Sequence, residues 1–171
     1  MKKTRQYGLY AGLIFSASLF LLSISKVDNP ESTLNYAFLS CFPFLILFIL
    51  LAMLNRRKEM GNHIDFSEAF KAGLGVSAIA GVIYALCNYL YLKLLNHSII
   101  NTMSALFRAD LVKQNKPNSY ITERVQEYLD KLPFTIATYR LVTLIFIGGI
   151  LSIILALIVK RKHIEALTET E

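Results

Sequence analysis

The residues best equipped for catalysis or metal binding in this chain are His63, His97 and His163, Cys41 and Cys87, and the carboxylate pair Asp65 and Glu68. Zinc-type sites need several ligands at short, fixed separations, and these histidines are isolated from one another by long stretches of chain. Asp65 and Glu68 open "DFSEAFKAG", where Asp65 can cap a helix N-terminus and Glu68, three residues on, can bond back to it. Acid–base catalysis would ask for a carboxylate of shifted pKa in a cleft, and nothing around this pair suggests one. Both cysteines fall inside apolar runs, so buried free thiols are expected rather than a disulfide framework. The expectation is a chain without catalytic residues, metal ligands or cofactor.

Three other residues carry a different chemistry. Tyr84 and Asn88 lie one helical turn apart in an uncharged run, and Arg140, beside Tyr139, stands at the start of another, as Asn35 and Tyr36 do at the start of a third. Polar and charged groups in such runs mark ligand paths or interhelical contacts. Tyr84, Asn88 and Arg140 are therefore a candidate polar pocket, with Arg140 holding an anionic headgroup or substrate. The competing reading has Asn88 hydrogen-bonding across helices, Arg140 reaching outward to the interface and the tyrosines forming a belt there.

These residues must be positioned by the apolar elements that contain them. The chain has 171 residues, 54% apolar and 18% charged, and its apolar residues come in blocks. Uncharged runs extend over Tyr7–Ser25, Thr33–Leu54, Ala72–Leu92 and Leu141–Val159, or 19, 22, 21 and 19 residues. Each suffices for a helix crossing about 30 Å of hydrocarbon. "FPFLILFILLAML" has no polar stripe, as a helix facing water on one side would need. The fold expected is an all-α membrane protein of one domain with four transmembrane helices, at about 7–25, 33–54, 72–92 and 134–159, and an outer helical segment at 93–131.

The net charge of +6 sits at the ends of these runs, not on a nucleic-acid-binding surface. Lys2, Lys3 and Arg5 precede the first run, Arg56, Arg57 and Lys58 follow the second, and Lys160, Arg161 and Lys162 follow the fourth. The first loop has only Lys26 against Asp28 and Glu31. By the positive-inside rule both termini and the middle loop are cytoplasmic. The first run resembles a secretory signal ending at Ser23-Ile24-Ser25, but its length favours a retained anchor.

Small residues recur every four positions in three runs: Gly8, Gly12 and Ser16; Gly73, Ser77, Gly81 and Ala85; Gly148, Ser152 and Ala156. Neither G-x-G-x-x-G nor a terminal Gly-Lys-Ser/Thr occurs among them, so these are not phosphate loops. In hydrocarbon, where burying apolar side chains yields little, such faces let helix backbones approach and so predict a bundle. The second run carries Pro43, which is expected to bend it near Ser40 and Cys41 and leave it the most lipid-exposed. In the outer segment, Ile100, Met103, Phe107 and Leu111, then Ile121, Val125, Tyr128, Leu129 and Leu132, predict two amphipathic helices joined at "QNKPNS", the second capped by Ser119 or Thr122. Their apolar stripes rest on the bundle or the headgroups, or else receive a partner. Asn96-His97-Ser98 has the spacing of a glycosylation sequon.

The order of "YGLYAGLI", "IDFSEAFKAGLGVSAIAGVIYALCNYLY" and "GGILSIILALIVKRK" resembles the bacterial family called domain of unknown function 4199 over nearly the whole chain. That resemblance implies an integral protein of the bacterial inner membrane, with no family catalytic residues to carry over. Abundant packing faces and the lack of a catalytic set make a non-enzymatic scaffold or accessory subunit the expected function. Its partners would be the lipid bilayer and another membrane protein or a second copy, with no nucleic acid. The alternative is an oligomeric small-solute or lipid transporter lined by Asn88 and Arg140, although the runs lack the acid that proton-coupled transport uses. A further alternative, drawn from the resemblance, is an accessory to a polyprenyl-phosphate glycosyltransferase. A membrane-bound enzyme built on outer-segment residues such as Asp110 and His97 is the third.

Overall fold

The computed structural model describes residues 2–24, 30–95 and 97–160, with side chains at 3–21, 35–36, 38–95 and 99–160. Ser25, Lys26, Asp28, Asn96, Arg161, Lys162 and His163 lie outside the described residues, as do the side chains of Glu31 and His97. All regular structure among the described residues is helical: α1 (Lys2–Ile24), α2 (Pro30–Glu59), α3 (Phe66–Leu90), a π turn (Tyr91–Leu95), α4 (His97–Lys113) and α5 (Asn118–Val159).

The amphipathic helix expected after "QNKPNS" and the fourth apolar run are one element, the 42-residue α5, which passes through Pro133. At about 1.5 Å per residue α5 is roughly 60 Å long, about twice the thickness of a hydrocarbon layer, so its first half projects beyond the apolar bundle. One buried stripe, which includes Ile121, Leu132, Ala137, Leu144, Gly148, Ser152 and Ala156, continues across the proline. Continuous packing on both sides holds the helix together where proline alone would favour a break.

Among the described residues three helices are long and apolar enough to cross a membrane: those of Phe38–Glu59, Phe66–Leu95 and Asn118–Val159. Their outward surfaces are apolar: Leu39, Leu86, Val142, Phe146 and Ile158 are each more than half exposed. Such a continuous apolar exterior suits hydrocarbon rather than water. α2 is likewise unbroken through Pro43. It is not the most exposed helix: 28% of the apolar window of α5 is buried, against 33% for α2 and 44% for α3.

α3 is the central helix and packs against α1, α2 and α5. Its partners fix the helix directions. Gly8 and Gly12 of α1 face Ile79 and Ile83, so α1 and α3 run parallel. Gly73 faces Ser152 and Gly148 faces Ser77, so α3 and α5 run antiparallel. The turn from α2 to α3 uses Gly61 (φ 70°) and Asn62 (φ 67°) in the left-handed region, and Asn62 N–H donates to the Arg57 carbonyl at 3.0 Å. This reversal closes the last turn of α2 and suits glycine, which has no Cβ to clash.

Candidate functional site

The small-residue ladders lie at helix contacts. Gly8, Gly12, Ser16, Gly73, Ser77, Gly81, Ala85, Gly148, Ser152 and Ala156 are all buried. A Cβ on Gly12 would stand 2.7 Å from Ile83 Cβ, and one on Gly73 would stand 2.6 Å from Met53 Cε. One on Gly148 would collide with the Ser77 side chain. The ladder serines all bond in the same way: Ser16 donates to the Gly12 carbonyl (2.8 Å), Ser77 to Gly73 (3.1 Å) and Ser152 to Gly148 (2.6 Å). Each hydroxyl is thereby satisfied within its own helix, leaving a flat face for the neighbour.

The three residues of the candidate polar pocket occupy two environments. Tyr84 and Asn88 are fully buried in the bundle core. The Tyr84 hydroxyl and both polar atoms of the Asn88 amide lie close together without a hydrogen bond in good geometry, and no other partner reaches them among the described residues. Asn88 thus makes no interhelical hydrogen bond here. Phe15 packs edge-on to the Tyr84 ring, 6.4 Å between centroids, and Phe38 lies 6.3 Å from it.

Arg140 is elsewhere, at the wall of a cavity of about 390 Å³ enclosed by α2, α4 and α5. Its Nη2 donates to Asn35 Oδ1 at 2.7 Å, and its guanidinium lies 4.6 Å from the centroid of the Phe38 ring. The Phe38 ring is therefore a neighbour of both Arg140 and Tyr84, but neither Tyr84 nor Asn88 lines the cavity. No carboxylate among the described residues pairs with Arg140. An arginine stacked on an aromatic ring and given one neutral acceptor keeps donors free for an anion.

The rest of the cavity explains what kind of anion fits. Ile99 and Met103 of α4 and Leu132 and Ile136 of α5 form apolar wall, while Lys131 and Tyr128 add polar groups. Lys131 Nζ is already matched by Glu127 Oε1 at 2.7 Å. Lys131 and Arg124 hold the Glu127 carboxyl below the usual carboxylate range, so it stays ionised and Lys131 stays balanced. Arg140 is then the net charge of the site, and its geometry suits one negative charge joined to an apolar body.

α4 covers the cavity because its apolar stripe and that of α5 meet. The Phe107 and Tyr128 rings stack at 4.4 Å between centroids, and Ile99, Ile100, Leu111, Ile121 and Leu132 are buried. Polar residues at the run starts were visible in sequence as single points. The acceptor role of Asn35, the platform role of Phe38 and the walls from α4 depend on long-range packing, which leaves no short-range signal.

Two expected caps take other forms. Asp65 precedes α3 but makes no side-chain cap bond; Glu68 instead meets Arg56 at 3.0 Å and Lys71 at 3.3 Å. The full charge of Arg56 outbids a backbone amide for that carboxylate. At α5 the cap position is Pro117, without a side-chain bond, and Thr122 donates to the Asn118 carbonyl within the helix at 3.0 Å. Cys41 and Cys87 are not joined in a disulfide.

The model of one family, described as protein of unknown function (DUF4199), matches residues 6–161. No curated protein and no solved structure matches this chain.

Proposed function

The chain belongs to the DUF4199 family of unknown function, and from that membership and the geometry above we propose a non-enzymatic protein of the bacterial inner membrane that holds an anionic amphiphile at its outer end. In this reading α1 is a fourth span, because Gly8 and Gly12 seat it lengthwise on Ile79 and Ile83 of α3. Both termini and the α2–α3 turn are cytoplasmic, which puts the cavity at the outer rim.

Arg140 carries the proposal. An arginine at the start of an apolar run, stacked on Phe38 and lacking an acidic partner among the described residues, is expected to receive its counter-charge from a ligand. The apolar walls of the cavity favour a ligand with a hydrocarbon part over a bare ion. Mass spectrometry of lipids retained through purification tests this. The wild-type chain should keep an anionic amphiphile that Arg140→Gln loses at unchanged Tm, and equal retention by both would sink the proposal.

An accessory or scaffold role is the second reading. It is supported by an apolar groove of about 320 Å³ between α3 and α5, lined by Ala85, Leu86, Tyr89, Phe134, Ala137 and Leu141. A groove of that kind takes another transmembrane helix. Co-purification from native membrane should then yield a stoichiometric neighbour, and a chain that always runs alone would count against it. Transport past Arg140 and Asn88 has less support, since Asn88 is sealed in the core.

A further inference from the structure

The opposite end of the bundle has a cavity that the outer site leaves unexplained. It encloses about 170 Å³ where the starts of α1 and α3 meet the end of α2. Arg5, Arg56, Lys71 and Glu68 form its rim, and Gly75 and Ile79 part of its apolar floor.

The charges around this cavity do not balance. Glu68 is its single acid and serves two of the three cations, Arg56 at 3.0 Å and Lys71 at 3.3 Å. Arg56 is also met by Glu59 at 3.3 Å. Arg5, exposed on the same rim, makes no ion pair among the described residues. Glu68 therefore competes with an arriving anion for two of the three basic side chains and lowers the positive charge that the anion meets. The excess positive charge and the free guanidinium then need an acceptor with several oxygens, and Arg is well matched to phosphate.

The floor says what the anion is joined to. Gly75 opens the side of α3 next to α1, and its position would put a Cβ only 3.3 Å from Thr4 Cγ2. Below it the wall is Ile79, which itself packs on Gly8. A charged rim above an apolar seam between two helices is shaped for a headgroup with hydrocarbon beneath it.

We propose that this cavity is a phosphate-group site on the cytoplasmic side, taking the headgroup of an anionic phospholipid of the inner leaflet, with Arg5 as its unpaired donor and Glu68 as the acid that sets its strength. It rests on the membrane reading of the chain but not on the outer cavity.

Native mass spectrometry of the full-length chain in neutral detergent, titrated with phosphatidylglycerol, phosphatidylcholine or inorganic phosphate, tests this. Phosphatidylglycerol should bind in preference to phosphatidylcholine. Arg5→Gln should weaken it about ten-fold, the scale of one lost charge-assisted hydrogen bond. Glu68→Gln should tighten it several-fold by freeing Arg56 and Lys71, an effect opposite in sign to that of a merely structural role. The same Arg5→Gln effect should persist in an Arg140→Gln background, where the outer cavity no longer contributes lipid, which separates failure here from failure of the outer site. If millimolar inorganic phosphate binds and displaces the lipid, the site is for phosphate but its natural source is soluble, and the lipid assignment falls. Equal affinity for both lipids, or indifference to Arg5→Gln with Tm preserved, overturns the site itself.

Discussion

Replacing Gly148 by alanine adds one methyl group at a tight contact between α3 and α5. That methyl would collide with the Ser77 side chain, and the Ser77 backbone lies only 3.7 Å away. The next residue is an internal control, because a Cβ on Gly149 would meet only Leu74 Cδ1, at the ordinary distance of 3.8 Å. In both positions alanine gains about 1 kcal/mol of helix propensity over glycine. At Gly148 that gain is opposed by overpacking, which costs about 1–3 kcal/mol in a well-packed core. The two variants should therefore differ by about 1–3 kcal/mol, with Gly149→Ala the more stable. For a chain of this size about 2–4 °C accompanies each kcal/mol, so thermal unfolding in detergent should separate them by about 6 °C at mid-range. Adding Ser77→Gly to Gly148→Ala should recover stability beyond the sum of the single changes, a coupling that a double-mutant cycle measures. A Gly148→Ala protein melting at or above Gly149→Ala would refute the claim that this contact sets the α3–α5 spacing.

Tyr84→Phe removes a buried hydroxyl that has no hydrogen bond in good geometry among the described residues, so Tm should hold steady or rise; a loss above about 1 kcal/mol would mean that the hydroxyl is hydrogen-bonded, to the neighbouring Asn88 amide or to a bound molecule. Glu68 lies ahead of the apolar run of α3, and its pKa is lowered chiefly by the Arg56 hydrogen bond and then by that of Lys71. A lowered folded-state pKa gives stability that is complete above the unfolded-state value and lost as pH falls through the folded one. The Tm advantage of wild type over Glu68→Gln should therefore be constant near neutral pH and vanish below the usual carboxylate range; an advantage that persists there would refute the ion-pair account. In a background without Cys41 and Cys87, a cysteine at Asn115 should react with a membrane-impermeant maleimide in intact cells and one at Asn62 should not; the reverse pattern would invert the orientation.

Four-residue spacing was enough to put Gly73, Ser77, Gly81 and Ala85 on one face of α3, since helical periodicity is local. What that face meets, Ser152 and Gly148 of α5, is a matter of which helices are neighbours. The stripes through Phe107 and Tyr128 were equally legible, and their mutual stacking was not. The boundary expected between the outer segment at 93–131 and a span from 134 is absent because the buried stripe on both sides of Pro133 is a property of the assembled bundle. The same holds for Glu68, whose spacing from Asp65 suggested a cap while Arg56, distant in sequence, took the carboxylate.

By itself the sequence determined the element type and the apolar runs long enough to cross a membrane, because uncharged runs and helical spacing are read from adjacent residues. Only the tertiary structure decided that Arg140 parts company with Tyr84 and Asn88, stacks on Phe38 and opens on a cavity walled by α4. Those relations join α2, α4 and α5 across 105 positions between Asn35 and Arg140. A contact over such a separation is set by the packing of whole helices against one another, and no local pattern of residues encodes it.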